Sequence, residues 1–328
     1  MNLLFLDQFS DLGGAQQNLL ELLPAVRAMG WRALVGLPGE GELFERVRAL
    51  GFEAERIACG PYGSGRKSAA DAARFLAGTP RLAWQMRRLA LRVNADLVYL
   101  NGPRLLPAAA VAGLARPVLF HSHSYLAPGA VRRLAGAALR RMDAWLVGQC
   151  EFVAAPWRPF VQPQRVSVIY NGVAGPVRTL GRSHAGPLRV GCIGRIAPEK
   201  GQRAFVAAAA RIHQALPQCR FAIYGAPLFG ESVAERYATQ VRTDAAGLPV
   251  VAFASGGIPE VVEAGVTGLL AHTSEDMAKR AVELISGDAA RRIAIAHAAR
   301  ESWERRFTLE RYHQGILRTI EAAASRAG

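Results

Sequence analysis

The chain has 328 residues, of which 51% are hydrophobic and 20% are charged, a composition typical of a folded globular protein rather than a disordered one. The length favours two domains, and no apolar run approaches the ~20 residues that would span a bilayer. A formal net charge of +14 favours anionic partners such as nucleic acid, acidic lipid head groups or phosphorylated substrates, without choosing between them.

The N-terminal stretch and the cysteines bear on the cellular compartment of the protein. MNLLFLDQFSDLGG has no basic segment, and Asp7 interrupts its apolar run, so we expect a first β-strand rather than a signal peptide. The four cysteines are widely spaced and form no CxxC pair, which favours neither a disulfide framework nor a zinc site. We therefore expect a cytoplasmic protein.

Short apolar runs alternate with longer stretches of helical periodicity along the whole chain. The predicted strands are 2–6, 32–37, 53–58, 96–100, 117–121, 145–147, 166–169, 188–193, 220–224, 249–253 and 268–271. The predicted helices include 14–29, 40–50, 80–93, 129–143, 201–215 and 275–287. This alternation predicts an α/β fold of two doubly wound blocks with parallel sheets. The seam between the blocks is predicted at 175–187, which has turn residues and no apolar period.

The first of three glycine-bearing turns lies in FLDQFSDLGGAQQNLLELL. Gly13 and Gly14 carry no side chains, so backbone N–H groups at the start of the next helix are open to an anion. An ordinary tight connection between a strand and a helix would give the same pattern. The pair therefore indicates an anion site only in combination with other signals.

The second turn lies in RVGCIGRIAPEKGQRAFVAAAARI, where a predicted strand ends at Ile193. Gly194 permits a close approach of the backbone, and Arg195 and Lys200 flank the loop that leads into the next helix. An arginine fork together with a lysine point charge suits a diphosphate. The alternative interpretation is a solvated basic loop.

The third turn follows the strand predicted over 249–253. Gly256 and Gly257 come first, and Pro259 and Glu260 then occupy positions that suit the start of a helix. Glu260 has an ordinary explanation as compensation of the helix dipole. The glycine pair is therefore better evidence for a ligand than the glutamate.

A histidine pair, HSHS, ends the strand predicted over 117–121. Residues two apart on a strand share a face, so His121 and His123 are both candidates to line a site. A metal ion would need a third or fourth ligand, and none occurs at a useful spacing. We therefore expect no metal site.

Together and in this order, these turns resemble the GT-B glycosyltransferases of family 4, a group of retaining enzymes that use sugar nucleotides. The resemblance covers nearly the whole chain. It rests on LGGAQQNLLELLPAVRAMGW near the start, VIYNGV at 168–173, GRIAPEKG at 194–201 and GGIPEVVEAGVTGLL at 256–270.

The resemblance implies two Rossmann-like domains that face a cleft. Residues 1–178 would form the acceptor domain, residues 186–303 the donor domain, and residues 304–328 a terminal helix that crosses back. The donor-binding residues that it implies are Gly13, Gly14, Gly194, Arg195, Lys200, Gly256, Gly257 and Glu260. Either His121 or His123 would face the reacting sugar, and the residues leave open which one does.

One departure from the family pattern concerns the acidic residues that it expects before the third turn. A glutamate pair with E-x7-E spacing normally precedes the strand that leads into GGIPE, whereas TQVRTD precedes AAGLPVV here. Only 31 positions separate Gly225 from Gly256, and they contain a single predicted helix. One βαβ crossover alone takes ~30 residues or more, so there is no room for a further strand and helix. We therefore predict an internal deletion that shortens the donor domain.

The function that this resemblance implies is transfer of a hexose from a nucleotide-diphosphate sugar to a hydroxyl of a glycan or lipid-linked acceptor, with retention. No metal or other cofactor is expected, and peripheral contact with an anionic membrane surface is a further expectation. Two alternatives stay open: an inactive remnant that binds nucleotide or a partner protein, and a nucleic-acid-binding protein. The second has only the charge in its favour, since the sequence contains no helix-turn-helix, zinc-finger or aromatic RNA-binding signature.

Overall fold

The computed structural model describes residues 1–60, 69–175, 188–194, 201–224 and 250–325. These residues form two compact units. The first contains residues from Met1 to Gly172 and from Leu309 onward, and the second runs from Val173 to Thr308. Among the described residues, no helix is both long and apolar enough to cross a membrane.

A seven-stranded parallel sheet organises the first unit. Its strands are β1 (Asn2–Asp7), β2 (Arg32–Leu37), β3 (Glu53–Arg56), β4 (Leu97–Asn101), β5 (Val118–Ser122), β6 (Trp145–Gly148) and β7 (Val166–Val168). The strand order is β3-β2-β1-β4-β5-β6-β7, so the chain changes direction across the sheet at the boundary between β1 and β4. Ligands of doubly wound folds bind outside the carboxyl ends of the strands at such a point.

Helices cover both faces of this sheet. They are α1 (Gly14–Ala28), α2 (Glu42–Ala49), α3 (Ala69–Arg92), α4 (Leu106–Ala112), α5 (Ala130–Arg141) and α6 (Glu151–Ala154), with 3-10 turns at Pro103–Leu105, Ala155–Phe160 and Pro163–Arg165. Alternate strand residues enter two buried clusters, as a doubly covered sheet requires: Leu4 and Leu6 join one cluster, and Leu3 and Phe5 join the other. The central strands β1, β4, β5 and β6 are therefore buried almost throughout, whereas the edge strands β3 and β7 are half-buried or exposed.

The second unit contains two pairs of parallel strands among its described residues. β8 (Arg189–Ile193) pairs with β9 (Arg220–Tyr224), and β10 (Val251–Phe253) pairs with β11 (Leu269–Ala271). Its helices are α7 (Gln202–Ala215), α8 (Ile258–Val261), α9 (Ser274–Ser286) and α10 (Ala289–Arg306).

The last helix, α11 (Leu309–Ser325), belongs to the first unit. Its apolar face places Tyr312, Ile316 and Ile320 in the buried cluster that also contains Leu3 and Phe5. Gly315 lets the helix approach closely, because a Cβ at this position would lie 2.9 Å from Ile169.

Every predicted strand lies within two residues of an observed one at both ends. One helix was predicted too short: the helix expected over 80–93 begins at Ala69, and Pro80 lies inside it. Proline removes one backbone donor, but the surrounding turns continue through it. The segments that bear on the internal deletion, 225–249, and on the seam, 176–187, lie outside the described residues, so the deletion and the domain boundaries remain predictions.

Candidate functional site

Three neighbouring strands of the first unit end in polar residues. β1 ends at Asp7, β4 ends at Asn101, and β5 ends at Ser122 just before His123. Asp7 and Asn101 are direct partners in the register of β1 and β4. The carboxyl ends of parallel strands meet at one edge of the sheet, so these side chains form a polar cluster at the boundary between β1 and β4.

Asp7 is the centre of this cluster and is fully buried. Its carboxylate accepts hydrogen bonds from Nε2 of Gln16 at 2.9 Å, from the backbone N–H of Phe9 at 2.8 Å, and from Nδ2 of Asn101. Nδ2 of Asn101 also donates to the carbonyl oxygen of Ala15, 3.3 Å away. Asp7 thereby ties the ends of two strands to the first turn of α1.

The two predicted histidines lie against this cluster, with ring centroids 3.8 Å apart. Nε2 of His123 lies 2.6 Å from Oδ1 of Asn101, and Nδ1 of His121 lies 2.5 Å from the hydroxyl of Tyr99. His121 is fully buried, whereas His123 is half-buried. The sequence-predicted pair is thus brought together, and its two members contact different partners.

Burial sets the charge of the cluster. It lowers the pKa of His123 to about 3, against the opposing effect of the Gln149 side chain. It also lowers the pKa of His121 well below its usual range, and the nearby His123 lowers that pKa further. Burial also raises the pKa of Asp7 to about 6, against the opposing effect of the hydrogen bonds from Asn101, Phe9 and Gln16. At neutral pH the cluster therefore has two neutral imidazoles beside one ionised carboxylate.

Three buried polar atoms near this edge have no hydrogen-bond partner among the described residues: Nε2 of His121, Nδ1 of His123 and Oδ1 of Asn171. Gln149 connects the last two residues, since its Nε2 donates to the carbonyl oxygen of His123 at 2.6 Å and its Oε1 accepts from Nδ2 of Asn171 at 2.8 Å. Buried polar groups in native proteins are nearly always paired, so unpartnered atoms clustered in one place indicate a ligand position.

The glycine pair after β1 lies at the start of α1. Gly13 is the N-cap with φ −138°, and neither glycine has a positive φ. A Cβ at Gly14 would meet nothing within 4 Å, so the open space, and not the backbone conformation, distinguishes this position. No side chain caps α1, and its first turn contains no acidic residue.

In the second unit, several glycines have positive φ angles, a backbone conformation that other residues rarely adopt. Gly194 follows β8 with φ 154°, Gly201 precedes α7 with φ 72°, and Gly256 follows β10 with φ 57°. Gly257 is the N-cap of α8. Arg195 and Lys200 lie outside the described residues.

Glu260 lies in the first turn of the short helix α8 and is half-buried. Its backbone carbonyl accepts a hydrogen bond from Arg306 of α10 at 2.5 Å. This contact anchors the turn that follows the glycine pair within the second unit.

Sequence reasoning did not identify Asp7, Gln16, Tyr99, Asn101 or Gln149 as site residues. The strands NLLFLD and LVYLN both end in a polar residue after a buried apolar run, and this signal was available. Asp7 was interpreted only as a break in the apolar stretch. A search for polar residues at the carboxyl ends of predicted strands would have found Asp7 and Asn101.

Two family models match the sequence. Residues 12–174 match Glycosyltransferase Family 4, and residues 241–287 match Glycosyl transferases group 1. A search of curated protein sequences found no significant match.

Solved structures share the fold over nearly the whole chain. Anabaena HepE in complex with UDP and glucose has 24% identity and a TM-score of 0.76, with 98% of this chain and 100% of that chain covered. HepE in complex with UDP-glucose has 23% identity and a TM-score of 0.76 with the same coverage. Sucrose-phosphate synthase from Thermosynechococcus elongatus has 16% identity and a TM-score of 0.75, with 99% of this chain and 100% of that chain covered.

These similarities confirm the predicted α/β fold of the GT-B type. The solved structures show the fold, and the family models match most of the first unit and part of the second. The two family matches support a glycosyltransferase of the family 4 and group 1 type.

Proposed function

We propose that this protein transfers a hexose from a nucleotide-diphosphate sugar to a hydroxyl of a glycan or lipid-linked acceptor, with retention at the anomeric carbon. The observation that carries the proposal is the pair of neutral histidines at the carboxyl ends of a doubly wound sheet, with ring centroids 3.8 Å apart and one ring nitrogen of each buried without a hydrogen bond among the described residues. Uncharged imidazoles suit hydrogen bonding to sugar hydroxyls. The nucleotide-bound structures of HepE, which include UDP-glucose, support a nucleotide sugar as the donor.

The donor diphosphate would be bound by the loop that joins β8 to α7. Arg195 and Lys200 would neutralise its charge, and no acidic residue in the first turn of α7 opposes an anion there. Gly194, Gly256, Gly257 and Glu260 would complete the donor site, and Gly13 with Gly14 would form the loop over the phosphates from the first unit. Since these groups would stabilise the departing diphosphate, we expect the reaction to need no metal.

Either His121 or His123 would face the reacting sugar. The acceptor hydroxyl would lose its proton on the face that the leaving diphosphate vacates, which gives retention without a carboxylate nucleophile. The acceptor would approach the first unit.

An anionic membrane surface is consistent with a lipid-linked acceptor. Helix α5 exposes Val131 and Leu134 beside Arg133, a combination that suits an acidic lipid surface. Co-sedimentation with vesicles that contain anionic lipid, compared with neutral vesicles, tests this contact.

The second candidate is a remnant that binds nucleotide but does not transfer sugar. The stretch TQVRTD, which lacks both glutamates of the expected E-x7-E pair, favours this candidate. Those glutamates would have bound the ribose and the hexose, so their absence bears on turnover more than on binding of the diphosphate.

A transfer assay distinguishes the two candidates. UDP-glucose is incubated with the protein and with hydroxyl acceptors in the presence of EDTA, release of UDP is measured, and the anomeric configuration of any product is read by proton NMR. We expect turnover that EDTA does not remove and an α-linked product from the α-linked donor. Inversion contradicts the retaining mechanism, and nucleotide binding without turnover favours the remnant.

Replacing His123 tests the role of the histidine pair. His123→Ala is expected to lower turnover by about 100-fold, the usual size of a lost hydrogen bond to the reacting group. His297→Ala is the matched control, because His297 is exposed on α10. Equal turnover in the two variants contradicts a role for His123.

A further inference from the structure

The orientation of the Asn101 side-chain amide is fixed by its partners. Its Nδ2 donates to the Asp7 carboxylate and lies 3.3 Å from the carbonyl oxygen of Ala15. A carboxylate and a carbonyl oxygen both only accept hydrogen bonds, so the amino group of Asn101 must face them. Its Oδ1 therefore faces the other way, toward His123.

This orientation determines which nitrogen of His123 carries the proton. Oδ1 of Asn101 lies 2.6 Å from Nε2 of His123 and can only accept, so Nε2 donates. A neutral imidazole has one protonated nitrogen, which leaves Nδ1 of His123 with a free lone pair. That Nδ1 is buried and makes no hydrogen bond among the described residues, although the Gln149 side chain is close enough to the ring to raise its pKa.

His121 has a different arrangement. Its Nδ1 is engaged by the hydroxyl of Tyr99 at 2.5 Å, and its ring is packed between Tyr99 and Tyr312, with centroids 5.9 Å and 6.4 Å away. His121 is fully buried, whereas His123 retains partial exposure. Of the two histidines, His123 is therefore the one that is placed to receive a ligand.

Asp7 is the fixed point of this arrangement. Its carboxylate is also bound by the backbone N–H of Phe9 and by Nε2 of Gln16, so neither oxygen is free to turn away from Asn101. We propose that Asp7 is a positioning residue that acts through Asn101 to hold His123 in its Nε2–H form, with Nδ1 as the hydrogen-bond acceptor for a hydroxyl of the donor sugar. The identity of the occupant rests on the proposed function, whereas the tautomer of His123 does not.

Nitrogen-15 NMR of histidine-labelled protein tests the proposal directly, since the ring nitrogens of the two tautomers have different shifts and couplings. His123→Gln assigns the His123 signals by their disappearance. In the wild-type protein at pH 7.5 we expect a protonated Nε2 and an unprotonated Nδ1 for His123. A proton on Nδ1, or a doubly protonated ring, overturns the proposal without any further variant.

Variants of Asp7 test whether the carboxylate sets the tautomer. In Asp7→Leu, Asn101 loses its main acceptor, so we expect the Nε2–H population of His123 to fall and the Nδ1–H population to become visible. Asp7→Asn restores one acceptor oxygen and is expected to recover the wild-type pattern in part. An unchanged His123 spectrum in Asp7→Leu overturns the positioning role of Asp7.

Gln16→Met is the matched control. Gln16 donates to Asp7 but does not contact Asn101 or His123 through any described hydrogen bond, so we expect the variant to lose stability and keep the tautomer. A tautomer change in Gln16→Met as large as that in Asp7→Leu overturns the specific chain through Asn101. Absence of sugar transfer together with the expected spectra contradicts the proposed function and leaves the tautomer assignment standing.

Discussion

The turn after β1 in the first unit and the turns after β8 and β10 in the second unit are ordered by different physical means. In the first unit, the buried side chain of Asp7 ties the end of β1 to Gln16 in α1 and to Asn101 in β4, and neither Gly13 nor Gly14 in the turn after β1 has a positive φ. In the second unit, the turns after β8 and β10 contain glycines with positive φ. A glycine before a helix therefore has two meanings: open space for a ligand in the turn after β1, and a required conformation in the turns after β8 and β10.

The largest expected effect is the pH dependence of the free energy of unfolding, which tests the polar cluster around Asp7, Asn101 and His123 in the first unit. Burial lowers the pKa of His123 to about 3 from 6.5, so the unfolded chain binds a proton first as the pH falls below 6.5. The free energy of unfolding should then fall by about 2 kcal/mol between pH 7.5 and pH 5 from His123 alone, and the shift of His121 acts in the same direction.

Asp7 opposes this trend. Its pKa is raised to about 6 from 3.8, so its contribution to stability is fully present at low pH and is lost as the pH rises through 6. At pH 5 Asp7 therefore raises the free energy of unfolding by about 1 kcal/mol relative to neutral pH. Urea denaturation of the wild type, His123→Gln and the exposed control His297→Gln at both pH values measures the difference. If His123→Gln keeps the full wild-type pH dependence, the ring is not held neutral by burial.

The next effect concerns the glycines of the second unit. Gly201→Ala should lower the free energy of unfolding by about 1–2 kcal/mol, because φ 72° places a Cβ against the following carbonyl oxygen. The nearest atom to that Cβ outside the turn is 3.9 Å away, so the conformation and not crowding is responsible. Chemical denaturation measures the loss, and an unchanged stability contradicts a conformational role for Gly201.

The smallest effect on stability is expected for Gly14→Ala in the first unit, which makes the same glycine-to-alanine change as Gly201→Ala. Gly14→Ala introduces a Cβ into open space at the first position of α1, so stability should be unchanged or rise by less than about 1 kcal/mol. If the loop covers the donor phosphates, turnover should nevertheless fall, because the added methyl group occupies the space left for them. A drop in stability similar to that of Gly201→Ala removes the distinction between these two turns.

The fold could be predicted from the sequence because each buried strand has an unbroken apolar run between turn residues. The long helix α3 was predicted to begin too late, since Pro80 lies within it and local propensity does not reveal the packing that carries the helix through a proline. The histidine pair could be found because both residues share one strand end. Asp7 and Asn101 are 94 positions apart, and only the strand order brings their side chains together.

The central claim, a nucleotide-diphosphate site in a glycosyltransferase fold, is tested most directly by calorimetric titration of purified, monodisperse protein with UDP, GDP and ADP, repeated with Lys200→Ala. We predict that one nucleotide binds and that its affinity falls by at least about tenfold in the variant, the size of a lost charged contact to phosphate. Absence of binding to any of the three by a well-folded sample would contradict the account.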